Sequence, residues 1–288
     1  MLTSLRRFLP ARFRDTAPVV PVVRLAGTIM AAGGPFRPVL SLASAAPLLK
    51  KAFAVKKAPA VAIIVNSPGG SPVQSRLIYR RIRDLAAETN KPVLVFVEDV
   101  AASGGYMIAC AGEEIIVDPS SIVGSIGVVS GGFGFVDAIG KLGIERRVHT
   151  SGENKARLDP FQPERPEDIE HLKALQREVH ETFIDLVKAS RGARIEAAGE
   201  NLFTGQFWSG KRGVELGLVD RVGDLRGELR RRFGANVKML QIQPARGLFA
   251  RRAGIAAGLP APDAIGAGLG LGLLQAAEER ALWARFGL

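Results

Sequence analysis

The sequence predicts an α/β fold with a mostly parallel central sheet. Two apolar runs, at residues 61–65 and 92–97, are typical of strands buried on both faces. Each run is followed by a glycine-rich turn and a helical segment, and a further apolar run comes at residues 114–117. Strand, turn, helix and strand in this order indicate a parallel sheet with right-handed crossovers.

The remaining elements follow from apolar periodicity and turn residues. A helix begins at Ser71 as N-cap and Pro72 as first helical residue. Its apolar face is expected to comprise Val73, Leu77, Ile78, Ile82 and Leu85. We expect further helices at residues 40–53, 105–111, 135–142, 167–189 and 208–216, and strands at 19–25, 146–150, 218–222 and 237–242.

The chain is expected to have three parts. Its 288 residues are 47% hydrophobic and 23% charged, which is typical of a globular protein with a sizeable core. Residues 18–235 are predicted to form the main domain. Residues 1–17 form a basic amphipathic segment, and residues 236–288 form a strand and a Gly/Ala-rich helical tail. The end of this tail, residues 275–288, could dock on the domain, on another subunit or on a membrane.

The formal net charge of +11 is compatible with binding to an anionic partner, but a basic chain need not have such a partner. Residues 1–14 carry four arginines and no acidic residue, so this segment could lie on an anionic membrane surface or be a frayed basic terminus. No nucleic-acid partner is expected, because only two Tyr and two Trp offer stacking surfaces and no binding motif is present. The chain shows neither a signal peptide nor a transmembrane anchor, which favours peripheral attachment at the cytoplasmic face.

Cysteine and histidine offer little for catalysis. Cys110 lies in an apolar run and is expected to be a buried small residue. The three histidines are scattered, so no metal site and no cofactor are predicted. His171 and His180 fall on the long predicted helix, where surface imidazoles are the default.

Ser103 is the candidate nucleophile. It lies in A-A-S-G-G-Y between a buried strand and a short helix, and such a turn presents a hydroxyl at the carboxyl edge of a parallel sheet. The amide of Gly104 would then point toward negative charge that develops there. A serine before a helix is, however, commonly only an N-cap.

The turn at residues 66–71 follows the neighbouring buried strand. Its glycines either serve the turn geometry or expose backbone amides to a ligand. Amides of Gly70 and Gly104, at the ends of adjacent strands, would suit an oxyanion hole. Since no histidine is placed as a base, Lys155 in T-S-G-E-N-K is the alternative, although a loop lysine is usually a solvated charge.

These motifs together resemble the signal peptide peptidase A family of serine proteases, in its short single-domain form. The resemblance rests on V-N-S-P-G-G-S, A-A-S-G-G-Y, V-G-S-I-G-V, T-S-G-E-N-K, F-T-G and V-E-L-G-L-V-D, in the family's order. It implies a Clp protease/crotonase-like fold of repeated ββα units and makes residues 18–235 a Ser-Lys protease domain.

The resemblance also implies a site. Ser103 would be the nucleophile, Lys155 the general base and Ser125 the residue that positions the lysine, with Gly70 and Gly104 as the oxyanion hole. It implies a membrane-associated bacterial protein that forms a homo-oligomeric ring, with peptide substrates such as leftover signal peptides, and serine and lysine from adjacent protomers. Arg157 departs from the pattern, because a more neutral residue is expected there.

Several alternatives stay open at this point. A crotonase-type acyl-CoA hydratase or isomerase shares the fold but uses acidic residues near its site. A Clp-like Ser-His-Asp protease would need a histidine, and none follows Ser103 until His149. A non-catalytic membrane-associated scaffold of the same fold is the alternative outside enzyme function.

Overall fold

An eight-stranded sheet forms the centre of the computed structural model, which describes residues 17–32, 39–196, 202–244, 277 and 279–288. Its order is β6-β5-β3-β2-β1-β8, and β4 pairs with both β3 and β7. The strands are β1 (Val19–Ala26), β2 (Val61–Ser67), β3 (Val93–Ala102), β4 (Glu114–Val117), β5 (Ile122–Gly124), β6 (Phe207–Ser209), β7 (Arg221–Val222) and β8 (Lys238–Gln241).

The pairing confirms the predicted mostly parallel sheet. All neighbouring strands run parallel except β5 and β6, which are antiparallel. Residues 61–65 of β2 are buried, as their apolar run predicted, and β2 continues through Asn66 and Ser67, which are also buried although they were expected to begin the turn. Apolar layers cover both faces of the sheet, because the helices at residues 72–89, 104–109 and 166–191 pack on one face and the helix at residues 225–233 packs on the other.

The helices occupy the intervals between these strands. They are α1 (Leu42–Phe53), α2 (Pro72–Thr89), α3 (Gly104–Ala109), α4 (Val136–Lys141), α5 (Pro166–Arg191), α6 (Gly210–Glu215) and α7 (Leu225–Phe233), with a 3₁₀ turn at Gly192–Arg194. The start of α2 is as predicted, since the Ser71 hydroxyl accepts the Gln74 amide and Pro72 is the first helical residue.

The predicted apolar face of α2 is wrong at two positions. Ile78, Ile82 and Leu85 are buried, whereas Val73 and Leu77 are 65% and 38% exposed. At roughly 100° per residue, the two exposed side chains lie well away from the buried stripe.

Strand β3 is longer than predicted. Residues 98–102, expected to begin a turn, continue the strand, because Val100–Ala102 pair with β5 after β4 has paired with the first half of β3. The turn is therefore confined to Ser103. This extension carries the nucleophile candidate beyond β4 to the edge where β2 and β5 also end.

Two other predicted elements are wrong. Residues 146–150 form no strand, because they lie outside the sheet and pair with no described strand. Residues 208–216 are not one helix. Their first part joins β6 against β5, and α6 begins only after Ser209, whose hydroxyl accepts the Arg212 amide as an N-cap.

The C-terminal strand of the tail joins the main sheet, as β8 pairs with β1. Of the tail beyond it, residues 279–288 are described and include a helical stretch at 279–284. Most of the predicted N-terminal segment, residues 1–16, and the Gly/Ala-rich stretch 245–276 lie outside the described residues. Within the described part of the chain, no helix is both long and apolar enough to cross a bilayer.

Residues 129–165 form an exposed extension, called the arm below, in which no residue is buried. Local contacts give the arm its shape. The Phe135 amide donates to the Pro160 carbonyl at 2.7 Å, and the rings of Phe135 and Phe161 stack with centroids 5.5 Å apart. Arg146 pairs with Asp159 at 3.2 Å. The arm ends at α5, which returns the chain to the core.

Candidate active site

Ser103 occupies a strained turn at the end of β3. Its φ of 51° and ψ of −121° are unusual for a residue with a side chain. Its amide donates to the Gly124 carbonyl at 2.8 Å, which ties it to the end of β5. The hydroxyl makes no capping hydrogen bond to α3, although Ser103 is the N-cap residue by position. The purely structural explanation of this serine, an N-cap side chain, is therefore wrong.

The glycine turn after β2 packs directly against Ser103. A Cβ atom on Gly69 would lie 2.8 Å from the Cβ of Ser103 and 2.9 Å from the Gly104 nitrogen. A Cβ on Gly70, whose φ is 137°, would lie 2.1 Å from the Ile29 carbonyl oxygen. Only glycine fits at these two positions, since the approach of this turn to Ser103 depends on Gly69 and its approach to the Ile29 backbone depends on Gly70.

The amides of Gly70 and Gly104 are available to a ligand. Neither N–H donates to any acceptor among the residues that the structure describes. The neighbouring amides are engaged, since Ile29 donates to Gly69 at 2.8 Å and Ser71 donates to Ile29 at 2.7 Å. Two free donors beside a serine hydroxyl are what stabilisation of an oxyanion requires.

A cavity of about 350 Å³ opens at the serine. Ser103 and Ser125 both line it, which brings together two residues that lie 22 positions apart in the sequence. Ser125 is buried, has a φ of 52° and donates its amide to the Gln206 carbonyl at 2.6 Å. The other lining residues are Gly127, Val128, Val129, His180, Phe203, Thr204, Gly205 and Arg285.

Lys155 does not line this cavity. It is exposed in the turn at residues 153–158, within the arm. The single chain thus assembles four of the five predicted site residues, namely Ser103, Ser125, Gly70 and Gly104, and leaves the lysine outside. The role of Lys155 as the base remains a prediction.

Two charged or titratable residues of the cavity were not foreseen. His180 was expected at the surface of α5, but it is half-buried, and its Nε2 lies 3.1 Å from the Ile126 carbonyl oxygen. Its spacing to the buried Phe183 and Val187 was a signal of this position, since i, i+3 and i+7 share a helix face. Arg285 enters from the C-terminal segment, and no local pattern predicted that.

Cys110 takes no part in the site. It is buried, and burial raises the pKa of its thiol to about 12, an effect that nearby Arg191 only partly opposes. The thiolate is the nucleophilic form, so this residue is inert near neutral pH. Among the described residues, no group of three or more His, Cys, Asp and Glu side chains is placed to hold a metal ion.

Comparison with known families matches residues 86–232, slightly more than half of the chain, to Peptidase family S49. This range includes Ser103, Ser125 and Lys155.

The relatives of the chain include much longer proteins. A Brucella abortus (strain 2308) protein named Na(+)/H(+) antiporter NhaA is 61% identical over 289 residues, 99% of this chain and 39% of that protein. The chloroplastic serine protease SPPA of Arabidopsis thaliana is 33% identical over 210 residues, 72% of this chain and 31% of that protein. This chain therefore spans well under half the length of these relatives.

Among solved structures, a mutant of the 1510-N membrane-bound stomatin-specific protease in complex with a substrate peptide is similar to this chain. The TM-score is 0.47 at 16% sequence identity, and the match covers 81% of this chain and 95% of that one.

Proposed function

Because the chain belongs to peptidase family S49, as its motifs predicted, we propose that it is a serine endopeptidase with Ser103 as nucleophile and Lys155 as general base. The observation that carries the proposal is the backbone of Ser103. Its positive φ leaves the hydroxyl at the cavity instead of on its own helix, and strain of this kind is retained where function requires it.

The proposed reaction is acyl transfer to serine. The Ser103 oxygen attacks the peptide carbonyl carbon while its proton passes to a neutral Lys155 amine. The Gly70 and Gly104 amides donate to the carbonyl oxygen as it gains negative charge. The protonated lysine then gives its proton to the leaving amine, and water releases the acyl group by the same route.

The lysine is the incomplete part of this site in a single chain. An amine acts as a base only when neutral, and burial favours the neutral form. Lys155 is exposed in the described chain. We therefore propose that a second copy of the chain covers it, so that serine and lysine of one site come from neighbouring subunits of a homo-oligomeric ring.

The apolar surface of the arm supports this assembly. Four of its apolar side chains, Val129, Phe133, Leu142 and Ile144, are between 55% and 73% exposed. Clusters of exposed large apolar side chains commonly mark interaction surfaces. Ser125, buried in the same cavity as Ser103, is the residue that we propose hydrogen-bonds the incoming lysine amine.

The first test uses an apolar fluorogenic peptide with wild type, Ser103→Ala and Lys155→Ala. Both variants are expected to lose at least about a thousandfold in kcat/KM. Lys141→Ala, which removes another lysine of the arm, is the matched control and is expected to retain activity. An active Lys155→Ala would refute the proposed base. Folded wild type that neither cleaves peptides nor reacts with a fluorophosphonate would favour the non-catalytic scaffold.

Mixing the two inactive variants tests the shared site. If serine and lysine come from different copies, reassociated mixtures of Ser103→Ala and Lys155→Ala regain part of the activity, because some interfaces combine an intact serine with an intact lysine. If both residues act within one chain, every mixture stays inactive.

The recess beside Ser103 supports apolar peptides, such as leftover signal peptides, as substrates. The walls of this recess include Met107, Val128, Val179 and Phe183, and the recess is much smaller than the cavity of about 350 Å³ that Ser103 also lines. A recess of this size suits a small apolar side chain next to the scissile bond. A crotonase-type reaction is disfavoured, because no acidic side chain of the described chain lines either space.

We also propose peripheral binding to the cytoplasmic face of an anionic membrane through residues 1–14, which carry four arginines. Sedimentation with anionic vesicles tests this proposal. Deletion of residues 1–14 is expected to abolish co-sedimentation, and unchanged sedimentation of the deletion variant would refute it.

A further inference from the structure

The C-terminal segment, residues 279–288, docks at the mouth of the cavity. Phe286 is 7% exposed and packs with Val100 and Ala102, at the end of β3 just before Ser103. Its ring also meets Phe207 of β6 edge-on, with centroids 5.1 Å apart, and Trp283 packs on the same cluster. Of the three docking partners left open by the sequence, the described structure selects the body of the chain itself.

This docking places Arg285 in the wall of the cavity. Its neighbour Phe286 anchors the segment, and Arg285 lines the same space as Ser103 and Ser125. Arg285 forms no ion pair with any residue in the described part of the chain. Within those described residues its guanidinium is therefore a cation without a counter-ion, and it shares the cavity with the candidate nucleophile.

The ionisable side chains that the described residues contribute to the cavity are basic. Among the described residues that line it, only His180 and Arg285 can carry charge, and both are cationic when charged. Arg285 is itself exposed where it lines this cavity, and its guanidinium would be stabilised by a planar anion that accepts two parallel N–H bonds, a geometry that a carboxylate has.

We propose that Arg285 is a specificity-determining residue that binds a carboxylate of the peptide substrate within a few residues of the scissile bond. This inference rests on the proposed function of the site. The carboxylate has two sources, an acidic side chain of the peptide or its free C-terminus. Either carboxylate would form the same ion pair with Arg285. The test peptides distinguish the two sources, because each peptide carries or lacks one of these carboxylates.

The test measures peptide binding to Ser103→Ala by fluorescence anisotropy, so that it does not depend on hydrolysis. One apolar peptide is made with Glu, Gln or Lys at a single position, each with a free or an amidated C-terminus. We expect the carboxylate-bearing peptide to bind on the order of tenfold more tightly than its neutral partner. A Glu-over-Gln difference identifies the side chain, and a free-over-amidated difference identifies the terminus.

Arg285→Glu, added to Ser103→Ala, is expected to reverse the preference toward Lys, and Arg285→Gln to abolish it. Arg280→Glu is the matched control, because Arg280 is exposed on the same segment and does not line the cavity. It is expected to leave the order of affinities unchanged.

Equal affinities for all peptides, or a preference that survives Arg285→Glu, would overturn the inference. A reversal by Arg280→Glu would also overturn it, because the effect would then be one of overall charge. Deletion of residues 279–288 is expected to remove the preference, and a uniform gain in affinity for every peptide would instead identify the segment as a plug. Hydrolysis by the wild type is measured separately, and its absence would count against the proposed function. The peptide affinities of the Ser103→Ala variants would still decide whether Arg285 binds a carboxylate.

Discussion

The Nε atom of Arg157 lies 3.2 Å from a carboxylate oxygen of Asp168, whose side chain is 3% exposed. Asp168 also accepts two hydrogen bonds from Arg165, each of 2.9 Å. This cluster fastens the turn that carries Lys155 to the first turn of α5. Arg157, at a position where the resemblance led us to expect a more neutral residue, is thus a local anchor of the lysine turn.

Asp168→Asn is expected to loosen this anchor. Among the described residues, the neutral amide leaves Arg157 without an anionic partner and leaves Arg165 only its longer 3.7 Å contact with Glu167, and we expect the free energy of unfolding to fall by about 1–3 kcal/mol. If the cluster positions Lys155, kcat falls while KM stays near the wild-type value. Arg165→Gln is the milder control, because its side chain is 47% exposed. Steady-state kinetics and urea denaturation measure both effects, and an unchanged kcat in a destabilised Asp168→Asn would limit Asp168 to a structural role.

Gly70→Ala tests the proposed oxyanion hole. The added Cβ would collide with the Ile29 carbonyl, so the turn must move and the Gly70 amide moves with it. Loss of one oxyanion donor typically lowers kcat by about a hundredfold to a thousandfold. Gly140→Ala in α4 is the control, since a Cβ there meets no atom within 4 Å. Equal kcat values for the two variants would remove Gly70 from the proposed mechanism.

Cys110 is expected to resist alkylation in the folded protein. Burial raises the pKa of its thiol to about 12, so near pH 8 the thiolate is a negligible fraction. Iodoacetamide treatment followed by mass spectrometry is expected to leave the native protein unmodified and to add one group after denaturation. Rapid modification of the native protein would show that the α3 region opens readily.

Acid is expected to weaken the packing of α7 against β4. A hydrogen bond from Arg232 lowers the pKa of Glu114, and one from Arg231 lowers that of Glu228. A carboxylate whose pKa is lower in the folded state stabilises the fold above its unfolded pKa, and this contribution is lost as pH falls through the folded value. The loss therefore begins below about pH 4.5.

Urea denaturation over a pH series measures this dependence. Glu114→Gln is expected to be less stable than the wild type near neutral pH and to lose less stability on acidification, because part of the titrating contribution is gone. A slope identical to that of the wild type would show that Glu114 does not contribute to the acid response.

The strands and the nucleophile turn could be predicted because their signals are local. A wholly apolar run such as residues 61–65 of β2 has few alternatives to a doubly buried strand, and Gly69 and Gly70 indicate a turn that other residues cannot form. The predicted secondary structure was wrong where it depended on the pairing of strands that are distant in the sequence. Residues 100–102 extend β3 because they pair with β5, and residues 207–209 form a strand because they pair with β5 along its other edge.

The sequence by itself determined the parallel sheet, the family and the placement of Ser103 and its glycines, because each depends on residues within a few positions of one another. Only the tertiary structure decided which distant residues share the cavity. His180 and Arg285 share a cavity with Ser103 because of helix packing and the burial of Phe286, which bring together segments far apart in the chain. The spacing of His180 to Phe183 and Val187 indicates which helix face it shares, but the cavity that this face meets depends on the packing of whole elements, which no local pattern specifies.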